Sequence, residues 1–149
     1  MRWIPPEPFR EAEYRLRNRQ KARKEAERIL AEALSDAVSL TSPIGHEGGS
    51  RKGTPGDPTG RGAEIVLRAR EKIEILDQWE KAIRRAERDF PPGTDEHKAA
   101  LLYYEGGQKL TDIAKAMHFE RQAIIRKKDA FVCRVAWYAA EAGLTRRDT

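Results

Sequence analysis

The sequence predicts an all-α protein: long N-terminal and central helices with a Gly/Pro-rich linker between them, then a C-terminal helix-turn-helix domain. Three observations carry this reading. Apolar residues recur at three- and four-residue steps through most of the chain. No period-two run of branched residues marks a strand. Charged residues make up 36% and hydrophobic residues 39% of the chain, which suits helices with narrow buried stripes better than one deep core.

Residues 1–40 form a charged N-terminal helix. Pro5, Pro6 and Pro8 cannot continue a helix, so it starts at about Glu7 to Phe9, with Glu7 and Glu11 favourable in its first turn. No Gly or Pro follows before Leu40. Ala22, Ala26, Ile29, Ala33, Ala37 and Leu40 make an apolar stripe that is narrow in its first half. Arg15, Arg17, Arg19, Lys21, Arg23 and Lys24 follow one another with no acid between them. This basic run is a solvated face, a DNA-contacting arm that meets phosphates, or a helix that folds on binding, and the sequence leaves the three open.

Residues 41–62 hold seven of the eleven glycines, too many to sustain a helix or bury much surface. They read as a flexible linker. The segment lacks the Gly-x-x-x-x-Gly-Lys-Ser/Thr pattern and no strand precedes it, so it is not a phosphate-binding loop. Asp57 or Thr59 supplies a capping oxygen for the next helix.

Residues 63–90 form a long amphipathic scaffold helix. Val66, Ala69, Ile73, Leu76 and Ile83 follow the helical repeat, and Trp79 fills the neighbouring ridge. Such a stripe needs a partner helix from this chain or from a second copy. These six residues are the candidate oligomer interface, and a homo-oligomer is expected. Pro91-Pro92-Gly93 stops the helix.

Residues 94–149 are read as the helix-turn-helix domain. Thr94-Asp95 caps a first helix that Gly106-Gly107 ends. A short helix around Ile113 and Ala114 follows, with Met117 and Phe119 bracketing a tight turn. Ile124 lies so that Ile113, Met117, Phe119 and Ile124 bury together. His118 takes the turn position where φ > 0 is often needed. Glu120 precedes the second helix, a weaker cap than Ser, Thr or Asp but favourable at a helix N-terminus. Arg121, Gln122, Ile125, Arg126, Lys127 and Lys128 are the candidate DNA-binding residues of that helix, with Glu120 at its start and Lys109 and Lys115 from the helix before it. Gln122 is suited to adenine and Arg121 or Arg126 to guanine in a major groove, while the lysines are suited to phosphates. An ordinary helical hairpin whose apolar residues only fill a core is the competing reading.

Basic residues number 29 against 24 acidic, a net charge of +5, compatible with nucleic acid without demanding it. Cys133 is the one cysteine, so there is no internal disulfide and no cysteine-based zinc site; it reads as a small buried hydrophobe. His46, His97 and His118 share no helix face, so no metal site is expected and each reads as a surface or turn residue. No nucleophile has a recognisable partner, and no catalytic residue, cofactor or small-molecule substrate is expected. No run approaches membrane-span length and the N-terminus lacks a signal-peptide core, which makes a cytoplasmic location the expectation.

With these parts in order, the chain resembles the RinA/ArpU group of phage late transcription regulators. The resemblance rests on Asp57-Pro58-Thr59 with Ala63, Leu101-Leu102-Tyr103-Tyr104, the glycine turn, and Leu110-Thr111-Asp112-Ile113-Ala114. It covers roughly residues 9–142. It implies an activator of late genes for packaging and capsid building, whose C-terminal domain is similar to the sigma-factor domain that reads a promoter element. Double-stranded DNA and host RNA polymerase are the implied partners, beside the second copy that the 63–90 stripe leads one to expect. The second helix departs from the family pattern, lacking the small hydroxyl cap and the aromatic residue common there, so a target sequence does not transfer. A terminase small subunit, or a sigma-like module that binds polymerase without reading DNA, are the alternatives.

Overall fold

The computed structural model describes residues 6–41 and 58–145. Among these the chain is all-helical: α1 (Pro6–Arg17), α2 (Arg19–Thr41), α3 (Pro58–Asp89), α4 (Asp95–Tyr104), α5 (Leu110–Met117) and α6 (Arg121–Glu141), with no strand. The basic part of the linker, including His46, Arg51 and Lys52, lies outside the described residues.

The chain divides into two compact units, one of Met1–Ala22 with Asp77–Thr149 and one of Arg23–Leu76. The expected single N-terminal helix is therefore two helices belonging mainly to different units. The break falls at Asn18, whose Nδ2 donates to the Tyr14 carbonyl at 2.8 Å. The backbone amide of Asn18 donates to the same carbonyl at 3.0 Å, so side chain and main chain share one acceptor.

In the first unit α1, the end of α3, α4 and α6 enclose one core. Ala12 and Leu16 come from α1; Trp79, Ala82, Ile83 and Ala86 from α3; Ala100 and Tyr104 from α4; Phe131, Val132, Val135, Ala136 and Ala139 from α6. Each set repeats at three or four residues, so every helix turns one stripe inward. A smaller core joins Ala99 of α4, Ile113 and Ala114 of α5 and Ile124 of α6, with Leu102, Leu110 and Met117 against it. Helix α6 thus serves both cores, its first turns in the smaller and the rest in the larger.

The connections follow from local chemistry. Thr94 caps α4 by accepting from the His97 amide, while its hydroxyl donates to the Pro91 carbonyl at 2.8 Å. At the other end Gly106 N donates to Leu101 O at 3.0 Å. A Cβ at Gly106 would lie 2.7 Å from the Leu102 carbonyl oxygen, so any other residue there would force the backbone to shift. His118 sits at φ 60, ψ 43. Phe119 N donates to Ala114 O at 2.9 Å and His118 N reaches Lys115 O at 3.4 Å, the bonding of a Schellman ending.

In the second unit, α2 and the start of α3 pack through small residues. The buried positions among the described residues are Ala33, Gly62 and Ala69. The helix expected to begin at Ala63 begins at Pro58 instead, so Gly60 and Gly62 are helical rather than linker. Pro58 has the φ that a first helical residue needs. A Cβ on Gly62 would come within 3.4 Å of the Ala37 Cβ. The glycine there serves close packing, not looseness.

Candidate nucleic-acid interface

The α5–turn–α6 pair carries the residues singled out for DNA contact. Ile113 and Ile124 are fully buried between its helices and α4, which fixes the direction of the outward face. On that face Arg121, Gln122 and Arg126 are exposed and Ile125 is half-buried; Lys109, Lys115 and Glu120 are exposed as well. Glu120 makes no side-chain capping bond, leaving the first amides of α6 without a side-chain partner at this end.

Two basic residues of the set are engaged within the chain. Lys127 is 3.6 Å from the Asp95 carboxylate and lies over the Phe119 ring at 4.7 Å. Lys128 is buried, only 6% exposed, and does not reach a phosphate. Its Nζ donates to Asp129 Oδ1 at 2.7 Å and to the Tyr104 hydroxyl at 3.2 Å, with Glu13 at 3.7 Å. The physical reason is register: Lys128 is four residues after Ile124 and four before Val132, on the line that faces the core. Burial and the bond to Glu13 together push the Tyr104 hydroxyl well above the ordinary tyrosine range. Phe119 departs from expectation too, remaining 37% exposed instead of joining Ile113 and Ile124.

The basic run of the N-terminal region divides. Arg19 is held by Glu80 through Nε at 3.0 Å and Nη2 at 2.8 Å, and by Glu87 at 2.9 Å. It stands inside the unit, not on a DNA-contacting face. Burial disfavours its charge, but the carboxylates more than offset that and raise its pKa. Arg15 is half-buried over the Trp79 ring and Arg17 lies over Tyr103 and Tyr104. Lys21 and Lys24 are exposed, as is Arg23.

His97 is a buried residue rather than a surface one, with Nε2 2.9 Å from Glu87. It precedes Ala100 and Tyr104 by three and seven residues, which puts it on the inner face of α4; that spacing was the signal for it. Burial raises the Glu87 carboxyl, but hydrogen bonds from Arg19 and His97 outweigh it and hold the group below its ordinary value. Cys133 is half-buried, and burial pushes its thiol up.

The six candidate oligomer residues separate as well. Trp79 and Ile83 are 2% exposed inside their own unit's core and are closed to a second copy. Ala69 is buried, while Val66, Ile73 and Leu76 are half-buried. Among the described residues no His, Cys, Asp and Glu group is arranged to hold a metal, and no helix is long and apolar enough to cross a membrane. Comparison with protein-family models, curated proteins and solved structures finds no match to this chain.

Proposed function

We propose that the protein is a sequence-specific double-stranded DNA-binding regulator of the cytoplasm, reading DNA with α6 as the recognition helix of a helix-turn-helix. One observation carries this: Arg121, Gln122 and Arg126 stand exposed on the first turns of a helix whose opposite side is locked by the fully buried Ile113 and Ile124. Arginine and glutamine make bidentate contacts to guanine and adenine edges, and a helix end of this kind fits a major groove. Lys109 and Lys115 supply phosphate contacts that set register. The resemblance to phage late regulators supports activation of packaging and structural genes as the biological role.

Binding of the full chain to three labelled duplexes, a late-promoter fragment, a packaging-site fragment and random DNA, tests the reading. Preference for the promoter fragment, lost in the Arg121→Ala/Arg126→Ala variant, supports it. Preference for the packaging fragment would make the chain a terminase small subunit. Retention by RNA polymerase with no duplex bound would leave an interaction module that does not read DNA.

A further inference from the structure

Arg10, Tyr14, Arg17 and Lys21 follow one another at four-, three- and four-residue steps, and all four are exposed. Asn18 N donates to Tyr14 O and Ala22 N to Asn18 O, so the main-chain ladder continues past the break and this spacing keeps the four on one face. Ala12 and Leu16, on the opposite face, hold α1 in the larger core. The acids of α1 do not neutralise the strip. Glu13 accepts from the Tyr104 hydroxyl at 2.6 Å and lies 3.7 Å from Lys128, and Glu11 lies 3.8 Å from Arg15. Glu7 stands in the first turn, where the helix dipole favours a carboxylate. Arg17 is the informative member. Its guanidinium lies 5.7 Å from the centroids of both the Tyr103 and Tyr104 rings and donates to the Tyr103 hydroxyl at 3.4 Å. These rings hold it in place without cancelling its charge, whereas Glu80 and Glu87 take up Arg19 two residues later.

We infer that this strip binds the phosphate backbone of duplex DNA, with Arg10, Arg17 and Lys21 meeting phosphate oxygens and the Tyr14 hydroxyl donating to one. An ordered guanidinium that keeps its charge and N–H donors suits an anion bearing several oxygens. From Arg10 to Lys21 the helix rises about 16 Å, a length that passes several phosphates of one strand. A helix lying on a membrane turns a wide apolar face outward, and α1 commits its apolar face to the core. Phosphate contacts carry no sequence information. The strip therefore extends the DNA reading of α6 without depending on base readout.

Titration of the full chain with a late-promoter duplex and a random duplex of equal length, over a range of salt, tests it. Arg10→Gln/Arg17→Gln/Lys21→Gln should weaken binding to both duplexes alike and leave the ratio between them unchanged. It should also lower the slope of log affinity against log salt by about two to three. Arg28→Gln/Arg68→Gln/Arg84→Gln removes the same charge from exposed arginines that are already paired along their own helices, and should change the slope by less than about one. An unchanged slope in the strip variant, or an equal drop in the control, would overturn the inference while any promoter preference, and with it the base reading, stands. Equal binding of both duplexes that the strip variant abolishes would remove the base reading and keep the strip. A chain that binds neither duplex, but is captured by anionic lipid vesicles or by poly-glutamate, would overturn the inference in favour of a membrane or an acidic protein.

Discussion

Lys128 and Tyr104 are joined by a 3.2 Å hydrogen bond, and the same tyrosine hydroxyl donates to Glu13 at 2.6 Å. A lysine from the start of α6 is thereby tied through α4 to α1. Its charge belongs to the interior while its neighbour Arg126 faces out, and the two should fail in opposite ways when replaced. Lys128→Met should lower stability by about 1–3 kcal/mol through the disrupted buried network. Its effect on DNA binding should vanish once the folded fraction is allowed for. Arg126→Ala should leave stability within about 0.5 kcal/mol and weaken specific DNA binding by about 1–3 kcal/mol. Denaturant titration beside DNA titration separates the two, and loss of DNA affinity without loss of stability in Lys128→Met would reverse the assignment.

Arg19 connects the start of α2 to Glu80 and Glu87 of α3. Truncating it removes the guanidinium that Glu80 and Glu87 share, leaving Arg84 beside the first and His97 beside the second. Arg19→Ala should cost about 2–3 kcal/mol, somewhat below the loss for a fully buried pair because the carboxylates keep some solvent. A change near zero in the urea midpoint would show that solvent already satisfies them.

The same cluster sets an acid limit. Glu87 has a folded-state pKa below its ordinary value. Its contribution is therefore complete above the unfolded value, about 4.3, and is lost as pH falls through the lower folded value. The thermal midpoint should hold near neutrality and decline below about pH 4. Glu87→Gln should reduce both the neutral-pH midpoint and the steepness of that decline. An unchanged acid profile in this variant would place the acid sensitivity on other carboxylates.

Helical periodicity made the helices readable, because apolar side chains must repeat with the turn to reach a core. It also led to Ile113 and Ile124, which are both fully buried. Two kinds of feature escaped it. Charged residues on the inward line, Lys128 and Arg19, look like surface charges until the partners that neutralise them, distant in sequence, are known. Small-residue stripes mislead in the other direction: Gly62 reads as linker but packs on Ala37. The short Phe9–Ala12–Leu16 stripe, which fixes α1 to the larger core, is easily lost among the arginines and glutamates that surround it. Phe119 had the right spacing for the smaller core but follows the left-handed residue, which redirects the chain and leaves its ring under Lys127.

Gly106 allows α4 to end against its own last turn. The added methyl of Gly106→Ala would meet a backbone oxygen, which cannot swing away as a flexible side chain would. The connection to α5 would have to shift, at a cost of about 1–3 kcal/mol. A lowered urea midpoint is expected. No change would mean that the 105–109 connection adapts freely.

His118 is the one non-glycine residue with positive φ among those described, and its side chain is exposed. Left-handed backbone costs an L-residue about 1–2 kcal/mol, and glycine removes that cost. Glycine also adds freedom to the unfolded chain, which offsets about 0.5–1 kcal/mol of the gain. The Schellman bonds use only backbone groups of Ala114, Lys115, His118 and Phe119, so both survive the substitution. The relief exceeds the entropy term, and His118→Gly should stabilise the protein by about 0.5 kcal/mol or slightly more. A rise in the denaturation midpoint with unchanged helical circular dichroism checks it. A fall would mean that the imidazole anchors the turn, and that the α5–α6 angle depends on the side chain as well as on the backbone.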